Sequence, residues 1–118
     1  MRALFIFFIF AFAGTCIAGD AEIVKVKIEV TSAQKYNFTV TIKHADTGWE
    51  HFANAFRVYS PEGELIGERV LHHPHVKEQP FTRTLLGVSV LSGLSEVVIK
   101  ASCFTAGENK KGYTVKLR

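Results

Sequence analysis

The chain has 118 residues, 47% hydrophobic and 21% charged, with 14 Lys+Arg against 11 Asp+Glu. That length fits one domain and excludes repeat arrays and multidomain enzymes. The apolar fraction excludes disorder over most of the chain, and so small a positive surplus gives no ground for nucleic-acid binding.

Met1-Arg2 is a short positive start, followed by the unbroken apolar run Ala3 to Ala13 and the small residues Gly14 to Gly19. Positive start, apolar stretch and small residues, in that order, are the layout of a secretory signal peptide. The run falls short of the ~20 residues that span a bilayer as a helix. Residues 1–18 are therefore read as a signal peptide, with cleavage after Ala18, and 19–118 as the domain. Cys16 raises a lipid-anchor alternative, although Thr15 and Ala13 fit a lipobox poorly. The expected location is periplasmic or secreted, with no membrane span in the mature chain. Only Cys103 remains after cleavage, so no internal disulfide is available and the core alone must hold the fold.

Glu22 to Thr31 alternates, with Val24, Val26, Ile28 and Val30 on one face and Lys25, Lys27 and Glu29 on the other. Period two with β-branched residues predicts a half-buried strand. Lys35 to His44 repeats the pattern, with Tyr36, Phe38, Val40 and Ile42 inward. Asn54 to Ser60 predicts a third strand, with Phe56 and Val58 inward, ending at the turn Ser60-Pro61-Glu62-Gly63. Glu64 to Leu71 is a fourth, in which Gly67 marks a bulge or a weak point. Phe81 to Leu86 is a fifth. Ser95 to Cys103 is a sixth, with Val97, Ile99, Ala101 and Cys103 on one face. Ala106 to Lys111 reads as a polar turn, and Gly112 to Arg118 closes the chain as a seventh strand. The expectation is an all-β, immunoglobulin/fibronectin-III-like antiparallel sandwich of about seven strands.

All five histidines fall between residues 44 and 75. His44 continues the inward parity of its strand, and Asp46 stands two residues on, placed to accept from its ring. His73 and His75 flank Pro74, which favours an extended backbone, so both rings leave on the same side. Two such imidazoles suit zinc or copper. A metal site needs three or four ligands, and His44 or His51 would supply the third if the long loops meet at one end of the sandwich. Asp46 or Glu50 would then serve as a ligand or orient an imidazole. The metal set is thus His44, His51, His73, His75 and Asp46, with copper or zinc as the ion. The plain alternative keeps each histidine structural: a strand-end ring bonded to a nearby carbonyl or carboxylate, and a solvated His-Pro-His loop.

No nucleophile elbow or phosphate loop is present, so a non-enzymatic domain is expected. Cys103 reads as a small buried apolar residue. Trp49, Phe52 and Phe56 are expected to close the core rather than face solvent. Exposed, they would instead mark a protein-protein interaction surface.

The tracts His44-Ala45-Asp46-Thr47-Gly48-Trp49-Glu50-His51-Phe52-Ala53-Asn54 and His73-Pro74-His75-Val76-Lys77-Glu78-Gln79-Pro80-Phe81-Thr82-Arg83 are distinctive. With Ser60 to Gly67 they resemble a group of small secreted bacterial proteins of unassigned function, over roughly residues 22 to 118. The resemblance implies an extracytoplasmic single β-domain and supplies neither a reaction nor a ligand. The tract Ser102-Cys103-Phe104-Thr105-Ala106 departs from the Asp- or His-containing stretch that relatives carry there, which puts weaker binding, or a role for Cys103, in view.

Overall fold

The computed structural model describes residues 21–117 except positions 45, 47, 50 and 105. The expected signal peptide, Cys16 and Glu50 lie outside the described residues.

Among the described residues eight strands follow in order: β1 (Glu22–Ser32), β2 (Lys35–Lys43), β3 (Ala53–Tyr59), β4 (Leu65–Val70), β5 (Phe81–Ser89), β6 (Glu96–Cys103), β7 (Gly107–Glu108) and β8 (Tyr113–Lys116). They form two antiparallel sheets, one ordered β1-β2-β5 and the other β4-β3-β6-β7, with β8 also paired to β6. This is the expected immunoglobulin-like sandwich, with one strand more than the alternation predicted. The extra strand comes from the tract read as a polar turn. β7 pairs with Ser102 and Cys103 of β6, while β8 pairs with Glu96 to Ile99. The two are one edge strand interrupted at Asn109. There the Asn109 side-chain oxygen takes the Ala101 N–H at 2.9 Å, and the Ala101 carbonyl accepts from the Asn109 N–H at 2.8 Å.

The core lies between the sheets. Phe38, Val40 and Ile42 of β2 face Phe56 and Val58 of β3 and Val97, Ile99 and Ala101 of β6, all fully withdrawn from solvent. Burying each large side chain contributes roughly 1.5–3 kcal/mol. The inward faces predicted for β2, β3 and β6 are those found. Of the face predicted for β1, Val26 and Ile28 are inward and Val24 and Val30 are not. Ile23 pairs with Ile42 and Lys25 with Thr41, so Val24 is an extra residue that the ladder skips. A bulge inverts parity on one side of itself. Ile23 therefore joins Val26 and Ile28 against the core, and Val24 is 46% exposed. Val30, next to a second register shift, is also exposed.

Gly67 lies where the edges of the two sheets approach. A Cβ there would stand 3.0 Å from Leu85 Cδ2 and 3.2 Å from Val88 Cγ2. The missing side chain lets β5 residues close this side of the core, and Arg69 Nη1 bridges the same seam to the Thr84 carbonyl at 2.7 Å.

Strand pairing places the loops. Glu22 opposes Lys43, Ile42 opposes Phe81, and Ala53 opposes Cys103. The start of β1, the β2–β3 loop, the end of the β4–β5 loop and the β6–β7 turn therefore share one end of the sandwich. The β1–β2, β3–β4 and β5–β6 connections lie at the other.

Candidate metal centre

His44 follows β2 without a change of parity and is buried, as are Asp46 and His75. Its backbone N–H donates to Gln79 Oε1 at 2.9 Å, and Gln79 Nε2 donates to the His75 carbonyl at 2.9 Å. One glutamine side chain thereby fastens the end of β2 to the β4–β5 loop.

Asp46 organises the interior of this end. Its Oδ1 is hydrogen-bonded to His44 Nδ1 and also accepts the Ala53 N–H at 3.2 Å. Its Oδ2 accepts the His75 N–H at 2.6 Å. A buried carboxylate persists only with such partners, and these three tie the β2–β3 loop, the start of β3 and the β4–β5 loop together.

His51 enters from the far side of the β2–β3 loop. A turn at Gly48 (φ 149°) and an isolated bridge between Gly48 and His51 bring the chain back, and the His51 and His44 ring centroids are 4.6 Å apart. Cys103 is the last residue of β6, buried on the same face as Val97, Ile99 and Ala101. The Ala106 N–H donates to its sulfur at 3.1 Å.

His44, His51 and Cys103 each offer a ligand atom, and these three atoms all lie within 4.8 Å of one another. Around a zinc ion with bonds of about 2.0–2.3 Å, neighbouring donors stand about 3.4 Å apart. Two imidazoles and one thiolate form a donor set suited to zinc and copper.

The other expected ligands are placed differently. His75 lies flat on Phe81, with ring centroids 4.0 Å apart and an interplanar angle of 12°. Its ring nitrogens are buried without hydrogen-bond partners, and Nδ1 is 3.8 Å from Asp46 Oδ2. Burial, and then the nearby Arg83 guanidinium, hold its pKa below the usual 6.5. His73 is exposed; its ring centroid is 5.1 Å from that of His75. The His73–His75 pair forms beside the three-residue group and does not join it. Asp46 connects the two, touching His44 on one side and His75 on the other.

Cys103 stands outside the metal set read from the sequence, where it reads chiefly as a buried apolar residue, and its sulfur lies near His44 and His51. The available signal was its position: like His44, it stands inward at the end of a core strand. Trp49 also departs from expectation. Phe56 is in the core and Phe52 is 9% exposed, but Trp49 is 67% exposed, in a T-shaped contact with Phe52 at a centroid distance of 5.8 Å. Its turn lies beyond the end of both sheets.

The chain is 31% identical over 88 residues to a protein of Halomicrobium mukohataei described as "Putative lipoprotein". The match covers 75% of this chain and 43% of that relative, so the chain spans less than half of its length. No protein-family model matches, and no solved structure matches. Among the described residues no helix is long and apolar enough to cross a membrane.

Proposed function

We propose that this chain is an exported, envelope-associated β-sandwich protein that binds a copper or zinc ion at one end through His44, His51 and Cys103. The observation that carries the reading is the convergence of two imidazoles and a thiol, from the β2–β3 loop and the end of β6, to within 4.8 Å. Asp46 supports it by engaging His44 Nδ1. This is the carboxylate–histidine arrangement that fixes ring orientation and directs Nε2 toward a metal. The Ala106 N–H aimed at the Cys103 sulfur provides the hydrogen bond that tunes a metal-bound thiolate.

Three protein donors leave a fourth position for water or another small ligand. The set suits metal holding, delivery or sensing in the envelope. Export is supported by the signal-peptide layout of residues 1–18, and attachment to the envelope by the description of the Halomicrobium relative.

Titration of the purified chain with cobalt(II), as a spectroscopic stand-in for zinc, tests the site. Thiolate coordination gives a sulfur-to-cobalt charge-transfer band that zinc then abolishes. One equivalent is expected, with the band lost in Cys103→Ser and weakened in His44→Ala and His51→Ala. A His73→Ala, His75→Ala double variant is expected to keep it. Wild-type protein without the band, or a Cys103→Ser variant that retains it, overturns the proposal.

A further inference from the structure

We infer that the end of the sandwich bearing His44, His51 and Cys103 lies against a phospholipid bilayer, with Trp49 and Phe104 seated in the headgroup boundary. The inference does not depend on the metal reading and places the same end of the molecule.

Two observations carry it. The first is an aromatic row built on one anchor. Phe52, nearly buried, meets Trp49 edge-on at 5.8 Å and stacks on Phe104 at 6.1 Å. The Phe104 N–H donates to the Phe52 carbonyl at 2.9 Å, which holds the β6–β7 turn against the β2–β3 loop. Both outer rings are left in solvent, Trp49 67% and Phe104 61% exposed, with Val76 of the adjoining loop 53% exposed. Val30, Leu65, Leu86 and Leu91, toward the other end, are exposed aliphatic residues with no aromatic ring among them. Tryptophan, apolar in body with one N–H donor, is the side chain most suited to a membrane–water boundary.

The second is where the chain comes in. Glu22 pairs with Lys43, one residue before His44, and Asn109 Nδ2 holds the Ala21 carbonyl at 2.8 Å. The apolar run at residues 3–13 and Cys16 precede Ala21 in the sequence. The seven residues 14–20 reach at most about 25 Å when extended. In the lipid-anchor alternative to cleavage after Ala18, a lipid on Cys16 therefore has this end of the domain within reach of the bilayer. The opposite end is a further strand length away, about 30 Å for nine residues. Exposed Lys43 and Lys77 are matched by exposed Glu22 and Glu78, so the contact is apolar in character and salt will change it little.

Trp49 is the single tryptophan of the chain, which makes it an unambiguous reporter. The full chain is reconstituted in vesicles of phosphatidylethanolamine and phosphatidylglycerol, with or without brominated acyl chains. Trp49 emission is expected to shift to the blue, to be quenched at least twofold by the brominated lipid, and to be protected from aqueous acrylamide. In a Trp49→Phe, Leu91→Trp variant the reporter sits at the opposite end and should show the reverse, quenched by acrylamide and not by brominated lipid. Phe104→Ser should weaken the lipid quenching of Trp49. Equal behaviour of the two reporters, or an aqueous Trp49, overturns the inference. So does a Trp49 shielded from both quenchers, which indicates a protein partner instead. A Cys103→Ser chain is expected to give the same quenching as wild type, so failure here and failure of the metal site are read separately.

Discussion

His44 and Asp46, two residues apart in sequence, are hydrogen-bonded ring to carboxylate, with both side chains wholly removed from solvent. The same carboxylate receives backbone N–H groups from Ala53 and His75. One acidic side chain thus both orients an imidazole and joins three segments. Its removal should be felt in stability and in metal affinity alike.

Asp46→Ala leaves three buried donors without an acceptor and is expected to cost about 3–5 kcal/mol. Urea unfolding checks this as a lowered midpoint with an unchanged slope. Asp46→Asn keeps one acceptor oxygen and should cost less, while lowering zinc affinity about 10–100-fold. A stable Asp46→Ala protein would mean that water replaces the carboxylate, and the junction described here would carry little energy.

Metal binding at the proposed three-donor site is coupled to folding, because the unfolded chain does not bring the donors together. Zinc at about a hundred times its dissociation constant should raise wild-type stability by about 2.7 kcal/mol. Cys103→Ala should lose most of that gain and keep its metal-free fold. Thermal melts with zinc and with a chelator measure both. Equal zinc stabilisation of the two proteins would remove Cys103 from the donor set.

The His75 ring gives a pH dependence of defined sign. Its folded pKa lies below 6.5, chiefly through burial and then through Arg83. About one unit or more above pH 6.5 the ring is neutral in both states and contributes no slope. As pH falls below that value, the unfolded chain takes up the proton first and stability is lost progressively until the folded ring also protonates. His75→Phe keeps a ring against Phe81 and cannot titrate, so the variant should lose stability less steeply between about pH 7 and pH 5. Urea midpoints across that range decide it, and parallel curves would count against a shifted His75.

Gly67 should resist replacement although it lies in a strand. The space that its Cβ would occupy is bounded by Leu85 and Val88, so Gly67→Val overpacks the seam by about 1–3 kcal/mol despite the better strand propensity of valine. Phe56→Ala, at the centre of the core, should cost about 3–5 kcal/mol. An unfolding midpoint for Gly67→Val equal to or above wild type would show that β4 and β5 can separate without loss.

Much of the architecture was legible because alternation is a local property. Tyr36, Phe38, Val40 and Ile42 announce a face, and so do Val97, Ile99 and Ala101, since neighbouring side chains on a strand point to opposite sides whatever the rest of the chain does. The inward parity of His44 came from the same rule, and the Asp46 contact from their separation of two. Val24 was misplaced because a bulge is set by how β1 pairs with β2, and the strand's own sequence carries no mark of it. β7 was missed because two residues are too few to show a period.

The amino-acid sequence by itself determined the fold class, most of the inward faces, and the crowding of histidines into two loops, because side-chain alternation and turn chemistry act over a few residues. Only the tertiary structure decided which of those side chains meet. His51 and Cys103 are 52 positions apart in the numbering of the chain, and they approach because β3 pairs with β6 in the register that sets Ala53 against Cys103. His73 lies outside the group and Trp49 is in solvent. That register is fixed by the packing of two sheets against each other, an energy summed over the whole core.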